Sequence, residues 1–312
     1  MYRRFYGFAE HPFNPTPDPR YLYLTKRHGE ALAHLEYALT CRKGVTVLIG
    51  EVGTGKTILL RTALGRVRSS VLRCAKIWNP TLTRREFYQF LAAEFRLSGA
   101  SAGSKAQFLI ELDAVVKRHH ETGGITALVV DEAQALSLEL LEEIRLLANM
   151  ESDTEKLLQV VLVGQPELSE RLNQPDLRQL KQRVAMRCTL GALDLRETAA
   201  YIAGRIRIAG GDPVQIFSRD AIEEIHARSQ GIPRLIGVIC DNALVSGFAM
   251  GVRPIGRDVV LDVCRDFDFG GPGVAAAIDT KEPAAPDAPV AAEPTVTRGF
   301  KLFGNANGVA EA

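Results

Sequence analysis

The chain has 312 residues, 46% of them hydrophobic, and its 38 Lys and Arg against 37 Asp and Glu leave a net charge of +1. That length holds one large or two smaller domains around a sizeable core, and the near-neutral balance supplies no global basic field of the kind that draws a protein to nucleic acid. The N-terminal MYRRFYGFAEHPF lacks the apolar segment of a signal peptide, and no apolar run approaches the ~18–20 residues needed to span a bilayer, so a cytoplasmic protein is expected.

Residues 1–28 interleave aromatics with Pro12, Pro15, Pro17 and Pro19. The prolines exclude a regular helix through the segment, and the aromatics suggest a strap packed on a folded body, here taken as the part formed by the elements that directly follow it. GEALAHLEYALTC (29–41) reads as an amphipathic helix, with Leu32, Leu35 and Leu39 at helical spacing. VTVLI (45–49) is a short β-branched strand, followed by GEVGTGKT and then the helical KTILLRTAL (56–64).

Gly50, Gly53, Gly55, Lys56 and Thr57 fill the pattern G-x-x-x-x-G-K-[ST], and Glu51, Val52, Thr54 and Ile58 complete the segment around it. Glycines let successive backbone N–H groups converge on an anion. Lys56 is placed to reach the β- and γ-phosphates of ATP, Thr57 to ligate Mg²⁺, and the helix N-terminus adds partial positive charge. A chance Gly-rich turn would not bring the flanking strand and helix with it.

Further strands are expected in VLRCAKIWNP (71–80), TALVVDEAQ (126–134) and LLQVVLVGQ (157–165). They alternate with helical TRREFYQFLAAEF (83–95), AQFLIELDAVVKRHHE and LELLEEIRLLANM (138–150). Strands alternating with helices give an α/β fold with a parallel sheet covered on both faces. Asp131 and Glu132 fall at the end of an apolar strand. Asp131 there would hold Mg²⁺ through its water shell, and Glu132 would act as general base toward water. Gln165, at the end of the next strand, is either a contact to the γ-phosphate and its water or part of a helix entry set by Pro166.

PDLRQLKQRVAMRC (175–188) carries Arg178, Lys181, Arg183 and Arg187. A solvated basic helix is the common meaning of such a run. The alternative is an arginine delivered to a neighbouring subunit's γ-phosphate, Arg183 first and Arg178 second. From about Leu193 the strand signal ends, and four helices make an all-α domain, with Ser218 as an N-cap and Gly210-Gly211 closing the first helix. Arg234, just past Gly231 and Pro233, could reach from this domain to the nucleotide. Residues 270–312 are Ala/Pro-rich, and this composition is expected to be disordered. The five cysteines (Cys41, Cys74, Cys188, Cys240, Cys264) lack C-x-x-C spacing and read as buried, reduced thiols.

In this order the motifs resemble those of the AAA+ ATPases. Gly50–Thr57 and Asp131-Glu132 correspond to the two nucleotide motifs, Gln165 to sensor 1, Arg183 to an arginine finger and Arg234 to sensor 2. The strap together with DEAQ, VGQPEL, LRQLKQRV and GIPR resembles, over residues 1–268, the general secretion pathway protein A family and the ATPases accompanying exosortase and exopolysaccharide export. The resemblance implies a strap (1–28), a P-loop AAA+ domain (29–192), a helical lid (193–269) and a tail (270–312). It also implies ATP with Mg²⁺, a homo-oligomer, and secretion or polysaccharide-export partners at the inner membrane, with peripheral attachment there through those partners. Ile58 stands where a second threonine is usual, and Gly237 where an asparagine is common. A DNA-directed regulator of the transposition-helper kind shares DEAQ and GxPR, and a basic stripe through Arg205 and Arg207 would favour it; DNA is the less favoured partner.

Overall fold

Strands β1 (Val45–Gly50), β2 (Leu72–Ile77), β3 (Ile125–Val130), β4 (Leu158–Gly164) and β5 (Val184–Leu190) make one sheet in the order β2-β3-β4-β1-β5. Every pairing is parallel. Every residue of β1, β3 and β4 is buried, as an apolar run must be when helices cover both faces of its sheet. This computed structural model describes residues 1–268 apart from Pro17 and Ser69. The expectation of a disordered tail lies outside the described residues.

Two helices, α2 (Lys26–Thr40) and α3 (Lys56–Arg66), cover one face, where Leu35, Leu39, Leu59 and Leu60 meet Leu48, Val129 and Val161. The other face carries α4 (Arg84–Glu94), α5 (Lys105–Glu121), α6 (Leu138–Leu147), α7 (Pro166–Leu172) and α8 (Arg178–Gln182). There Phe87, Phe108, Leu140 and Leu168 pack on Val47, Val130 and Leu162. Thr83 and Glu86 form a capping box that fixes the start of α4.

β5 corrects the reading of residues 175–188 as one helix. Helix is confined to Arg178–Gln182, and Val184–Leu190 forms an edge strand beside β1. Within it Cys188 and Leu190 are buried, while Arg187 and Thr189 are exposed. This alternation is that of a half-covered strand.

Four helices follow, as expected: α9 (Leu195–Ile208), α10 (Arg219–Ser229), α11 (Pro233–Met250) and α12 (Arg257–Asp266). Ser218 caps α10 by accepting the Ala221 N–H, and Gly210, with φ +88°, follows α9. These helices have their own apolar cluster, including Ile202, Ile206, Ile225, Ile236 and Val260.

The strap belongs to that cluster rather than to the sheet. Tyr2, Tyr6, Phe8 and Phe13 are buried among the lid helices, with Tyr6 stacked on Phe8 at 5.8 Å between ring centres. The hydroxyl of Tyr2 donates to Asp241 Oδ1 of α11 (2.5 Å). A short helix, α1 (Tyr2–Tyr6), forms ahead of the first proline. Of the cysteines, Cys188, Cys240 and Cys264 are buried, Cys74 is half-buried, and Cys41, at the C-cap of α2, is exposed. Among the described residues no helix is long and apolar enough to cross a membrane.

Candidate nucleotide-binding site

Parallel strands place their C-terminal ends on one side, where ligands bind in open α/β sheets. The register sets Ile49 beside Gly164 and Val130 beside Leu162, so the loops after β1, β3 and β4 leave the sheet together. Gly50–Thr57, Asp131-Glu132 and Gln165 are thereby brought to one place.

The loop after β1 is a backbone nest. Gly53 and Gly55 have φ values of +81° and +96°, and the N-terminus of α3 follows directly. Thr54 closes the turn by donating both its N–H (3.2 Å) and its hydroxyl (2.8 Å) to the Glu51 carbonyl. Lys56 is buried, and its Nζ donates to the carbonyls of Gly50 (2.8 Å) and Glu51 (3.0 Å). Burial pushes the Lys56 ammonium below its ordinary pKa, against the pull of Glu132 and Asp131. An ammonium held on two carbonyls at the base of an anion nest is ready to exchange those bonds for phosphate oxygens.

Thr57 Oγ1 donates to Asp131 Oδ2 (3.0 Å), joining the two residues expected to share Mg²⁺. Asp131 is buried, and burial pushes its carboxyl upward while the Thr57 hydrogen bond opposes that. One hydroxyl and one carboxylate side by side suit Mg²⁺, which keeps several waters and takes phosphate oxygens for the rest.

Glu132 lines the same pocket and takes a left-handed backbone, with φ +52°. Its Oε2 accepts from Gln134 Nε2 (2.6 Å) and from Gln165 Nε2 (3.2 Å). Gln165 is also the N-cap of α7, with Pro166 in the first turn, which is the helix-entry reading of it.

Arg234, the second residue of α11 and exposed, lines the pocket and donates its backbone N–H to the Gly53 carbonyl (3.2 Å). A Cβ on Gly53 would stand 2.7 Å from Arg234 Cβ, so this approach of lid to loop requires glycine. Arg183 is not at this end of the sheet. It directly precedes Val184, which pairs with Val45 at the start of β1, whereas Gly50 pairs with Leu190. Arg178 is exposed on α8.

The pocket, of about 540 Å³, continues from Lys56, Thr57 and Glu132 past Val52 and Ile58 to a wall made by the strap and α11. Its volume suits a nucleotide-sized ligand. Sequence reasoning missed this wall. Phe13, Tyr21 and Tyr23 come from the strap, and Gly237 and Asp241 from α11. Arg205 turns inward between Tyr21, Tyr201 and Phe13, with its guanidinium 4.8, 5.3 and 5.8 Å from their ring centres. It therefore does not join a surface stripe with the exposed Arg207. The density of aromatics in residues 1–28 was the available signal for this wall. His28 was also missed: buried, it is held by Thr25 Oγ1 (2.7 Å) and donates from Nε2 to the Thr54 carbonyl of the loop (3.2 Å).

A nest at a helix N-terminus, a paired strand-end Asp-Glu and a helical lid touching the nest define the chain as a P-loop ATPase of the AAA class. A family model described as an AAA domain matches residues 40–172. Within that class the chain is similar to "General secretion pathway protein A" of Aeromonas hydrophila, with 45% identity over 257 residues. The match takes in 82% of this chain but 46% of the relative, so the chain spans about half that protein's length. Similar solved structures include the ORC2 protein of Aeropyrum pernix in its ADPNP-ADP complexes (20% identity, TM-score 0.61, 83% of this chain and 72% of that one). Others are Cdc6p of Pyrobaculum aerophilum (19%, 0.62, 82% and 70%) and a Walker-type ATPase of Pyrococcus abyssi (20%, 0.57, 83% and 77%). At these identities the likeness is one of fold.

Proposed function

We propose that this chain hydrolyses ATP at the Gly50–Ile58 loop and uses the cycle to energise or regulate assembly of an envelope secretion or exopolysaccharide-export system. The observation that carries the hydrolytic part is the convergence of Lys56, the Thr57–Asp131 pair and Glu132 on one pocket. Lys56 and the loop N–H groups bind the phosphates. Thr57 and Asp131 would hold Mg²⁺, which would supply positive charge against that of the phosphates. Glu132 takes the proton of the attacking water, and Gln165, bonded to that carboxylate, orients the same water. The aromatic strap and α11 enclose the nucleoside, and Arg234 links phosphate state to the lid.

The secretion role rests on the name of the Aeromonas relative and on the resemblance of the strap and GQPEL to that family. Homo-oligomerisation and partners at the inner membrane belong to the same reading, as does residence on the cytoplasmic side. Arg183 acts in it as a finger for a neighbour's nucleotide.

Binding of a fluorescent ATP analogue and phosphate release, measured on Lys56→Ala and Glu132→Gln, test the hydrolytic part. Lys56→Ala should lose binding, whereas Glu132→Gln should bind normally and lose turnover by about two orders of magnitude or more. Turnover unchanged in Glu132→Gln would overturn the mechanism by removing Glu132 as its base.

A further inference from the structure

Gln134, the last residue of DEAQ, has no part in the roles above, yet both ends of its side-chain amide are engaged. Its Nε2 donates to Glu132 Oε2 at 2.6 Å, and its Oε1 accepts the backbone N–H of Gln165 at 3.1 Å. We propose that Gln134 is a positioning residue for hydrolysis: it ties the Glu132 carboxylate to the end of β4, so that base and γ-phosphate contact keep one geometry. The inference rests on the reading of Glu132 as general base.

Three features support it. An amide carries a donor and an acceptor on one rigid group, which an ionised carboxylate of the same reach does not; Gln134 uses one toward each partner. Its own backbone is pinned, because Arg171 Nη1 of α7 donates to the carbonyls of Gln134 and, at 2.6 Å, of Leu136. Space is also kept for it: a Cβ on Gly164 would stand 2.9 Å from Gln134 Oε1.

The arrangement suits a strained base. A non-glycine residue at φ +52° persists when its surroundings over-determine it. Gln134 and Gln165 both donate to the same oxygen, Oε2. This holds Oε2 and leaves Oε1 outside the pair of bonds, on a residue that lines the nucleotide pocket. Binding of a nucleotide that moves Gln165 would be transmitted to Glu132 through two bonds rather than one.

The test combines Gln134→Ala and the shape-preserving Gln134→Glu, each alone and with Glu132→Gln. Single-turnover hydrolysis, affinity for a fluorescent ATP analogue and melting temperature are read for each. Both single variants should keep affinity within about twofold and lose kcat by about tenfold or more. In the Glu132→Gln background the further loss should be under about twofold, because an effect exerted through the base vanishes with the base. Equal fold-losses in the two backgrounds, or unchanged kcat in both single variants, would overturn the inference and leave Glu132 as base. A kcat loss that tracks a fall in melting temperature would overturn it in favour of a purely structural bridge. Wild-type turnover in Glu132→Gln alone would remove the base and this inference together.

Discussion

The backbone N–H of Arg234 donates to the carbonyl of Gly53, so the lid helix α11 begins on the phosphate-binding loop itself. The contact is made through main chain, and the side chain of Arg234 stays exposed. Loop and lid are thus joined by a bond that side-chain substitution at Arg234 leaves intact.

Gly53→Ala should break that junction. An L-residue at φ +81° is strained by roughly 1–2 kcal/mol, and the added Cβ meets Arg234 Cβ. Denaturant unfolding should show a loss of about 1–3 kcal/mol, with weakened ATP binding. Arg234→Ala should stay within about 0.5 kcal/mol of wild type and lose turnover instead. Equal stabilities for Gly53→Ala and wild type would mean that the lid does not rest on the loop.

His28 gives the loop a pH dependence. Burial holds its pKa below the ordinary histidine value, and neutral Nε2–H donates to the Thr54 carbonyl. A depressed folded pKa contributes stability that is present above the unfolded value and lost as pH falls through the folded one. Stability should therefore decline as pH drops below about 6.5 by more in wild type than in His28→Gln, whose amide can still donate but does not titrate. Unfolding midpoints from pH 8 to 5 measure this. Parallel curves for the two proteins would exclude His28 as the source.

The strap is held by aromatic burial in the lid. Tyr6 is 1% exposed, and truncation of such a ring to alanine costs about 3–5 kcal/mol. Both Tyr6→Ala and deletion of residues 1–20 should lower the melting temperature. The deletion should also reduce the extra stabilisation given by ATP, because Phe13 and Asn14 line the pocket. A deleted chain that melts and responds to ATP like the full one would make the strap a docking arm.

What was legible in the sequence was local. Glycine, Lys56 and Thr57 lie within eight residues of one another, and Asp131-Glu132 announces itself at the end of an apolar run, so neither needs tertiary knowledge. β5 was hidden because the basic residues Arg178–Arg183 lead into VAMRCTL, and their charge masked the period-2 alternation behind them. The aromatic wall of the pocket was hidden for a different reason. Phe13 and Arg205 are nearly two hundred residues apart in sequence and meet only because the strap folds into the lid core. Gln134 stood inside a quoted motif, but its role depends on the end of β4, 31 positions further on.

Arg183 poses the question of assembly most sharply. Its backbone N–H closes α8 on the Leu180 carbonyl (3.0 Å), and β5 begins with the next residue, at the end of β1 remote from its loop. The strand length from Val45 to Gly50 is roughly 17 Å at ~3.3 Å per residue, which places Arg183 out of reach of its own subunit's phosphates. If it serves hydrolysis, it serves a neighbour's. Arg183→Ala should then bind ATP normally and hydrolyse it about 10³-fold more slowly, as loss of a transition-state arginine does. Mixing it with Lys56→Ala should restore part of the rate, since a mixed interface can unite one intact loop with one intact finger. Arg234→Ala should gain nothing from the same partner, because loop and Arg234 belong to one chain. ATPase rates at fixed total protein, repeated across a dilution series, measure all three. A wild-type rate per subunit that is constant down to the monomer would show a self-contained site, and Arg183 would then be a surface arginine at the head of an edge strand.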